Sequence, residues 1–125
     1  MKIELIEVSI RELTKGYEDN EEAGVTGFNG KLDIRPPYQR EFIYKDKQRD
    51  AVINTVTKNF PLNVLYWAVR KDGEYEVIDG QQRTISICQY VEGEFSVTIG
   101  NFPEKRAFHN LQENEQNQIL DYKLM

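Results

Sequence analysis

Asp79-Gly80-Gln81-Gln82-Arg83-Thr84 places a carboxylate, a glycine, two amides and a guanidinium side by side. The apolar run Tyr75-Glu76-Val77-Ile78 leads in, and Ile85 to Val91 leads out with apolar residues at helical spacing. The pattern predicts a strand, a tight polar turn and a helix. A helix N-terminus presents unpaired N–H donors and a partial positive charge. Arg83 adds a planar fork of donors that matches phosphate oxygens in pairs. Gly80 lets the backbone come close to a ligand. The chemistry these residues suit is anion binding, with phosphate the first choice. A plainer reading stands beside it: Asp79 or Thr84 caps the helix and Arg83 is a solvated surface residue. An Arg83 locked inward against a carboxylate, with the helix amides already occupied, would remove the anion reading.

A second constellation is Pro36-Pro37-Tyr38-Gln39-Arg40. Proline rigidity holds a tyrosine, an amide and a guanidinium at low entropic cost. Arg40 can meet a phosphate and Tyr38 can stack on a ring. In the plainer reading Tyr38 packs in the core and Arg40 pairs with Glu41 or Asp46. The two constellations together make a two-sided polyanion pocket more credible than either alone.

The elements that must position these groups follow from periodicity and turn chemistry. Residues 3–8 predict an edge strand or the lead into a short helix at Ser9 to Leu13, where Ser9 and Glu12 fit a capping box. Gly16 to Asn20 reads as a break, and the acidic stretch Glu18 to Gly30 as a mobile surface loop. Lys31 to Arg35 alternates as a strand, ended by Pro36-Pro37. A helix is predicted from Asp46 to about Asn59, with Val52, Ile53, Val56 and Phe60 as its apolar members and Pro61 as its stop. Asn63 to Val69 predicts a buried strand and Asp72-Gly73 a hairpin turn into Glu74 to Ile78. Gly93 is placed to end the signature helix. Phe95 to Ile99 alternates as a strand. Leu111 to Tyr122 predicts a last helix, polar in its middle. Trp67 reads as core, and Phe42, Tyr44 and Tyr66 as core or pocket wall.

The 125 residues fit one domain with a modest core, supplied by 14 aromatics. The composition predicts a soluble α+β domain. The longest apolar run, Val64 to Val69, is far too short to cross a bilayer, and no N-terminal signal pattern is visible. A single cysteine, Cys88, excludes an internal disulfide and fits the cytoplasm. It shares a helical face with Ile85 and Val91, which predicts a buried thiol and not a nucleophile. One histidine and one cysteine nearly exclude a zinc site. The net charge of −5 divides into −4 over residues 1–24, zero over 25–103 and −1 over 104–125. This is not the basic footprint of an autonomous DNA-binding module. Any polyanion contact must be local, around Arg35, Arg40, Lys45, Lys47, Arg49 and Arg83.

Leu32-Asp33-Ile34-Arg35-Pro36-Pro37-Tyr38-Gln39-Arg40-Glu41-Phe42, the Phe60-Pro61-Leu62 helix end and Val77-Ile78-Asp79-Gly80-Gln81-Gln82-Arg83-Thr84 resemble the N-terminal domain of GmrSD-type restriction endonucleases. The resemblance runs over nearly the whole chain, including Phe108 to Leu124. It implies a ParB/sulfiredoxin-like fold, a small mixed sheet packed with helices, in one domain over residues 1–125. Gly80 and Arg83 match the Gly-x-x-Arg spacing with which that fold holds nucleotide phosphates. The implied function is binding of a nucleoside triphosphate, with Mg²⁺, and hydrolysis coupled to DNA cleavage in restriction and phage defence. The implied catalytic residues are Asp79, Gln82 and Arg83. The implied nucleotide contacts are Tyr38, Gln39, Arg40, Gly80, Gln81, Arg83 and Thr84, with Asp79 also holding the metal. The alternative is a non-catalytic module that binds nucleotide or DNA backbone and gates a partner nuclease. The family's His-centred nuclease motif is not matched, since this chain has only His109, and an aromatic Phe42-Ile43-Tyr44 stands where members often carry tryptophan. Expected further are a longer native chain, a nuclease or DNA partner reached through it, and a homodimer.

Overall fold

Ser9 starts the first helix as its pairing with Glu12 predicts. Its hydroxyl accepts the Glu12 N–H at 3.1 Å, and the Glu12 carboxylate returns to the Ser9 N–H at 3.4 Å. In this computed structural model, residues 7–20, 24–35, 46–62, 65–69, 73–98 and 105–124 are described. The elements run β1 (Val8–Ser9), α1 (Ile10–Thr14), β2 (Glu18–Asn20), β3 (Gly24–Gly27), β4 (Leu32–Arg35), α2 (Asp46–Thr57) and β5 (Tyr66–Val69). They continue β6 (Tyr75–Asp79), α3 (Gln81–Val91), β7 (Val97–Thr98), β8 (Lys105–Arg106), a 3₁₀ turn (Phe108–Asn110), α4 (Glu113–Leu120) and β9 (Lys123–Leu124). The fold is α+β: a five-stranded sheet ordered β2-β3-β4-β6-β5, two two-stranded ladders and four helices.

Within the sheet only β4 and β6 run parallel, with Leu32 opposite Tyr75 and Asp33 opposite Glu76. The crossover between them contains α2, the usual means of joining parallel neighbours. The other pairs are antiparallel. Leu32 and Ile34, the apolar positions of β4, are fully buried, as alternation requires. Each such side chain contributes about 1.5–3 kcal/mol of transfer free energy. Under the sheet, Phe28, Trp67 and Tyr75 meet with ring centroids 5.5 to 6.1 Å apart, so Trp67 packs against the core as expected.

Three expectations are overturned here. Glu18 to Gly30 contains a hairpin: β2 pairs with β3, and a turn at 28–31 leads into β4. Its acidic composition concealed a buried Val25, and Phe28 and Asn29 hold left-handed backbones, pinned by N–H bonds to the Leu13 and Lys15 carbonyls. The strand at 66–69 is an edge and not a buried strand: Tyr66 and Val69 are exposed. Phe60 is exposed as well, because α2 ends at Thr57 and the chain has already turned away through the left-handed Asn59.

The most enclosed element is α3. Thr84, Ile85, Ser86, Ile87, Cys88 and Tyr90 are all buried, more than a one-sided helix would bury, because α1, α2 and β4 pack around it. The buried hydroxyls of Thr84 and Ser86 are satisfied internally by the Gly80 and Gln82 carbonyls, both at 2.8 Å. Burial pushes the Cys88 thiol far up, with Glu92 and Glu94 adding to the effect, so it stays protonated and inert as expected. Gly93 ends the helix in a left-handed conformation. Its N–H bonds to the Tyr90 carbonyl and that of Glu94 to the Gln89 carbonyl, which is the Schellman pattern.

The predicted last helix is shorter than Leu111 to Tyr122: α4 runs from Glu113 to Leu120, and the buried Leu111 and Tyr122 lie outside it, Leu111 with an extended backbone. It packs on α1 and α2, and Gln118 donates to the Thr57 carbonyl at 2.9 Å. Tyr122 donates its hydroxyl to the Phe60 carbonyl and accepts the Leu62 N–H, tying the α2–β5 connection to the C-terminal ladder. No helix among the described residues is long and apolar enough to cross a membrane.

Arg106 meets Glu115 at 3.2 Å at the head of α4. The Gln112 N–H donated to the carboxylate, followed by the Arg106 guanidinium, holds Glu115 below its ordinary value of 4.5. A carboxyl depressed on folding stabilises the native state above its ordinary range and loses that contribution as pH falls through the lower folded value. Thermal melts of wild type and Glu115→Gln are therefore expected to differ at neutral pH and to converge as pH falls below the ordinary value of 4.5. A gap that stays constant down to pH 3 would disprove the linkage.

Candidate functional site

The strand-to-helix turn sits where β6 ends, beside the end of its parallel neighbour β4. The register of β5 on β6 shifts between Tyr66 and Trp67: Tyr66 pairs with Asp79 and Trp67 with Val77, leaving Ile78 as the extra residue. A bulge of this kind re-aims the side chains at a strand end. Here it brings out Ile78 and Asp79, both exposed, just before the turn.

Gly80 is the N-cap of α3, at φ 96 and ψ 18. That left-handed conformation disfavours any residue with a Cβ. A Cβ there would also press on the side-chain ends of Leu65 and Arg83, which would have to shift. The turn is closed by the Gly80 carbonyl, which accepts both the N–H of Thr84 at 3.0 Å and its hydroxyl at 2.8 Å. Neither Asp79 nor Thr84 caps the helix through its side chain, so the plainer reading of the motif as a capped helix start does not hold.

Arg83 stands in the first turn of α3 with its side chain only 18% exposed, and its Nη2 is 4.0 Å from Asp79 Oδ2. That separation is beyond hydrogen-bond length, and the Asp79 carboxylate is itself 68% exposed. The carboxylate therefore faces solvent at the rim and does not lock the guanidinium in a bidentate pair. Leu65, Asp79, Gly80 and Arg83 thus converge on one small region.

The remaining motif residues divide by burial. Gln81 and Gln82 are half-buried at the helix start. The Gln82 Oε1 is buried and meets no hydrogen-bond donor among the described residues. A buried amide oxygen without a donor costs roughly 1–3 kcal/mol, so its retention calls for a reason. Thr84, expected among the ligand contacts, is fully buried with its hydroxyl committed to Gly80, so it stands behind the turn and sets its shape. Tyr38, Gln39 and Arg40 lie outside the described residues. The Arg49 guanidinium carbon sits 3.9 Å above the Phe95 ring. No group of three or more His, Cys, Asp or Glu side chains that could hold a metal occurs among the described residues.

Tyr66, expected as core or pocket wall, lies opposite Asp79 and is exposed. Leu65, which abuts Gly80, carries no local signal in the sequence, because the contact arises only when β5 pairs on β6.

Fold and turn define a small α+β domain with a polar, glycine-capped strand-to-helix turn at the end of a mixed sheet. The chain belongs to the family described as GmrSD restriction endonuclease, N-terminal domain, whose profile matches residues 15–124. That places it in a DNA restriction and defence context, in agreement with the resemblance carried by the Tyr38-Gln39-Arg40 and Asp79-to-Thr84 motifs. No curated protein and no solved structure shows a significant match to the chain.

Gly80→Ala is expected to lower stability by about 1–3 kcal/mol through the left-handed backbone and the overlap with Leu65. Adding Leu65→Ala should relieve the overlap without relieving the backbone strain, so the double variant recovers part of the lost melting temperature in thermal melts. A double variant that melts at the sum of the two losses would show that Leu65 does not limit the space at Gly80.

Proposed function

We propose that the domain binds a nucleoside triphosphate at the Asp79–Thr84 turn and hydrolyses it as the nucleotide-dependent part of a restriction protein. The observation that carries this reading is the convergence of Gly80 and Arg83: a glycine in a left-handed conformation that disfavours a Cβ, with a guanidinium beside it at a helix N-terminus. Helix N–H groups and a guanidinium are the donors phosphate oxygens take, and phosphoryl transfer needs charge stabilisation and positioning above all. The turn follows a strand and opens a helix, which is consistent with a ParB/sulfiredoxin-like site with Gly-x-x-Arg spacing.

Each residue has a chemical task in this reading. Arg83 balances charge on the phosphoryl oxygens. The Gln82 Oε1, buried and lacking a donor, accepts a hydrogen bond from the attacking water or from the nucleotide. Gln81 reads or orients the ligand from the first turn. Water adds to the γ-phosphorus as the bond to the β,γ-bridging oxygen breaks, releasing phosphate and nucleoside diphosphate. Asp79 suits Mg²⁺ as a single exposed carboxylate, since that ion commonly takes one or two carboxylates and completes its shell with phosphate oxygens and water. When bound, the ion supplies neutralisation of the triphosphate charge. Tyr38, Gln39 and Arg40 complete the reading as the facing contacts that the family resemblance implies. DNA is reached through the rest of a longer protein or a nuclease partner, in the cytoplasm, with a homodimer as the assembly.

Titration calorimetry with the four ribonucleoside triphosphates and Mg²⁺ tests the reading. Arg83→Ala in a folded protein is expected to weaken binding at least tenfold, in line with the roughly 1.5–3 kcal/mol of a hydrogen bond to a charged group. Unchanged affinity would refute the phosphate role. Phosphate release by the purified domain distinguishes hydrolysis from a switch that binds without turnover.

A further inference from the structure

We propose that Tyr66 and Ile78 form the shelf that takes the base of the nucleotide, an inference that rests on the phosphate reading of the Asp79–Arg83 turn. Tyr66 is 57% exposed and Ile78 60%, an uncommon outlay of large apolar surface for two residues on adjoining strands. Their place is specific. Tyr66 is the register partner of Asp79, and Ile78 is the bulge residue beside it. Paired residues of antiparallel strands stand about 4.5–5.5 Å apart at Cα, so the ring begins within reach of the carboxylate that opens the turn. Leu65, the residue before Tyr66, already lies against Gly80 and so ties this end of β5 to the turn.

A nucleoside triphosphate is charged at one end and flat and aromatic at the other. A site that holds the phosphates at a helix N-terminus needs a neighbouring apolar surface for the ring. Tyrosine offers a π-face that any base can stack on, and Ile78 extends it with aliphatic surface. The bulge explains how both are available: without the extra residue, alternation would place Ile78 and Asp79 on opposite faces of β6. The same irregularity that presents the carboxylate therefore presents the apolar shelf.

The test measures binding of a nucleoside triphosphate and of inorganic tripolyphosphate, each with Mg²⁺, to wild type, Tyr66→Ala, Tyr66→Phe, Ile78→Ser and Arg83→Ala. Tyr66→Ala is expected to weaken the nucleotide about tenfold or more while leaving tripolyphosphate within twofold. Tyr66→Phe should retain nucleotide binding, and Ile78→Ser should show a smaller selective loss. Both positions are exposed, and melting curves confirm folding. Arg83→Ala should weaken both ligands alike. If Tyr66→Ala leaves the nucleotide unchanged, or weakens both ligands equally, the shelf is disproved while the phosphate reading survives on Arg83. Wild-type binding of neither ligand overturns both. Loss of self-association in Tyr66→Ala with nucleotide affinity intact would assign the surface to a second copy and overturn the base assignment.

Discussion

The left-handed turn at Gly80 is the constraint on which the site depends. A residue with a Cβ there would meet Leu65 and Arg83 and would also strain the backbone. With glycine in place, the chain changes direction between the last residue of β6 and the first of α3 without a linker. The Thr84 N–H and hydroxyl both close on the Gly80 carbonyl, so the turn is held from the helix side as well. The geometry of Asp79, Gln82 and Arg83 is inherited from that one backbone conformation.

The turn is also supported from beneath by an unusually enclosed helix. Because α3 is buried on most of its surface, its hydroxyl residues bond to its own backbone and its thiol stays protonated. A helix fixed in this way holds its N-terminus still, and fixed donors bind charge better than donors that must reorganise. The Schellman close at Gly93 fixes the other end. The tilted cluster of Phe28, Trp67 and Tyr75 steadies the β5–β6 pair that delivers Asp79.

The family assignment and the geometry support one another at different levels. Membership in the GmrSD restriction endonuclease N-terminal domain family gives the biological setting. The turn sets a glycine-capped helix N-terminus with Arg83 in its first turn beside the exposed Asp79 carboxylate, the groups on which the proposed phosphate chemistry rests.

The strand, turn and helix around Asp79 to Thr84 were legible in the sequence because each depends on neighbours along the chain. The same holds for the capping box at Ser9, the alternation of β4, the buried face of α2 and the glycine at the end of α3. What the sequence could not decide was which strand lies at an edge and which faces solvent. Tyr66 and Val69 look like core residues, yet sheet order leaves them exposed. The acidic β2–β3 hairpin was hidden for the converse reason, since its strands are too short to show periodicity and gain their order from pairing. Thr84 shows the division most clearly. Its type and position fit a ligand contact, but enclosure of α3 by α1, α2 and β4 turns it inward. Local backbone chemistry was written in residue order, whereas burial, edges and the meeting of Leu65 with Gly80 arose only from packing between distant segments.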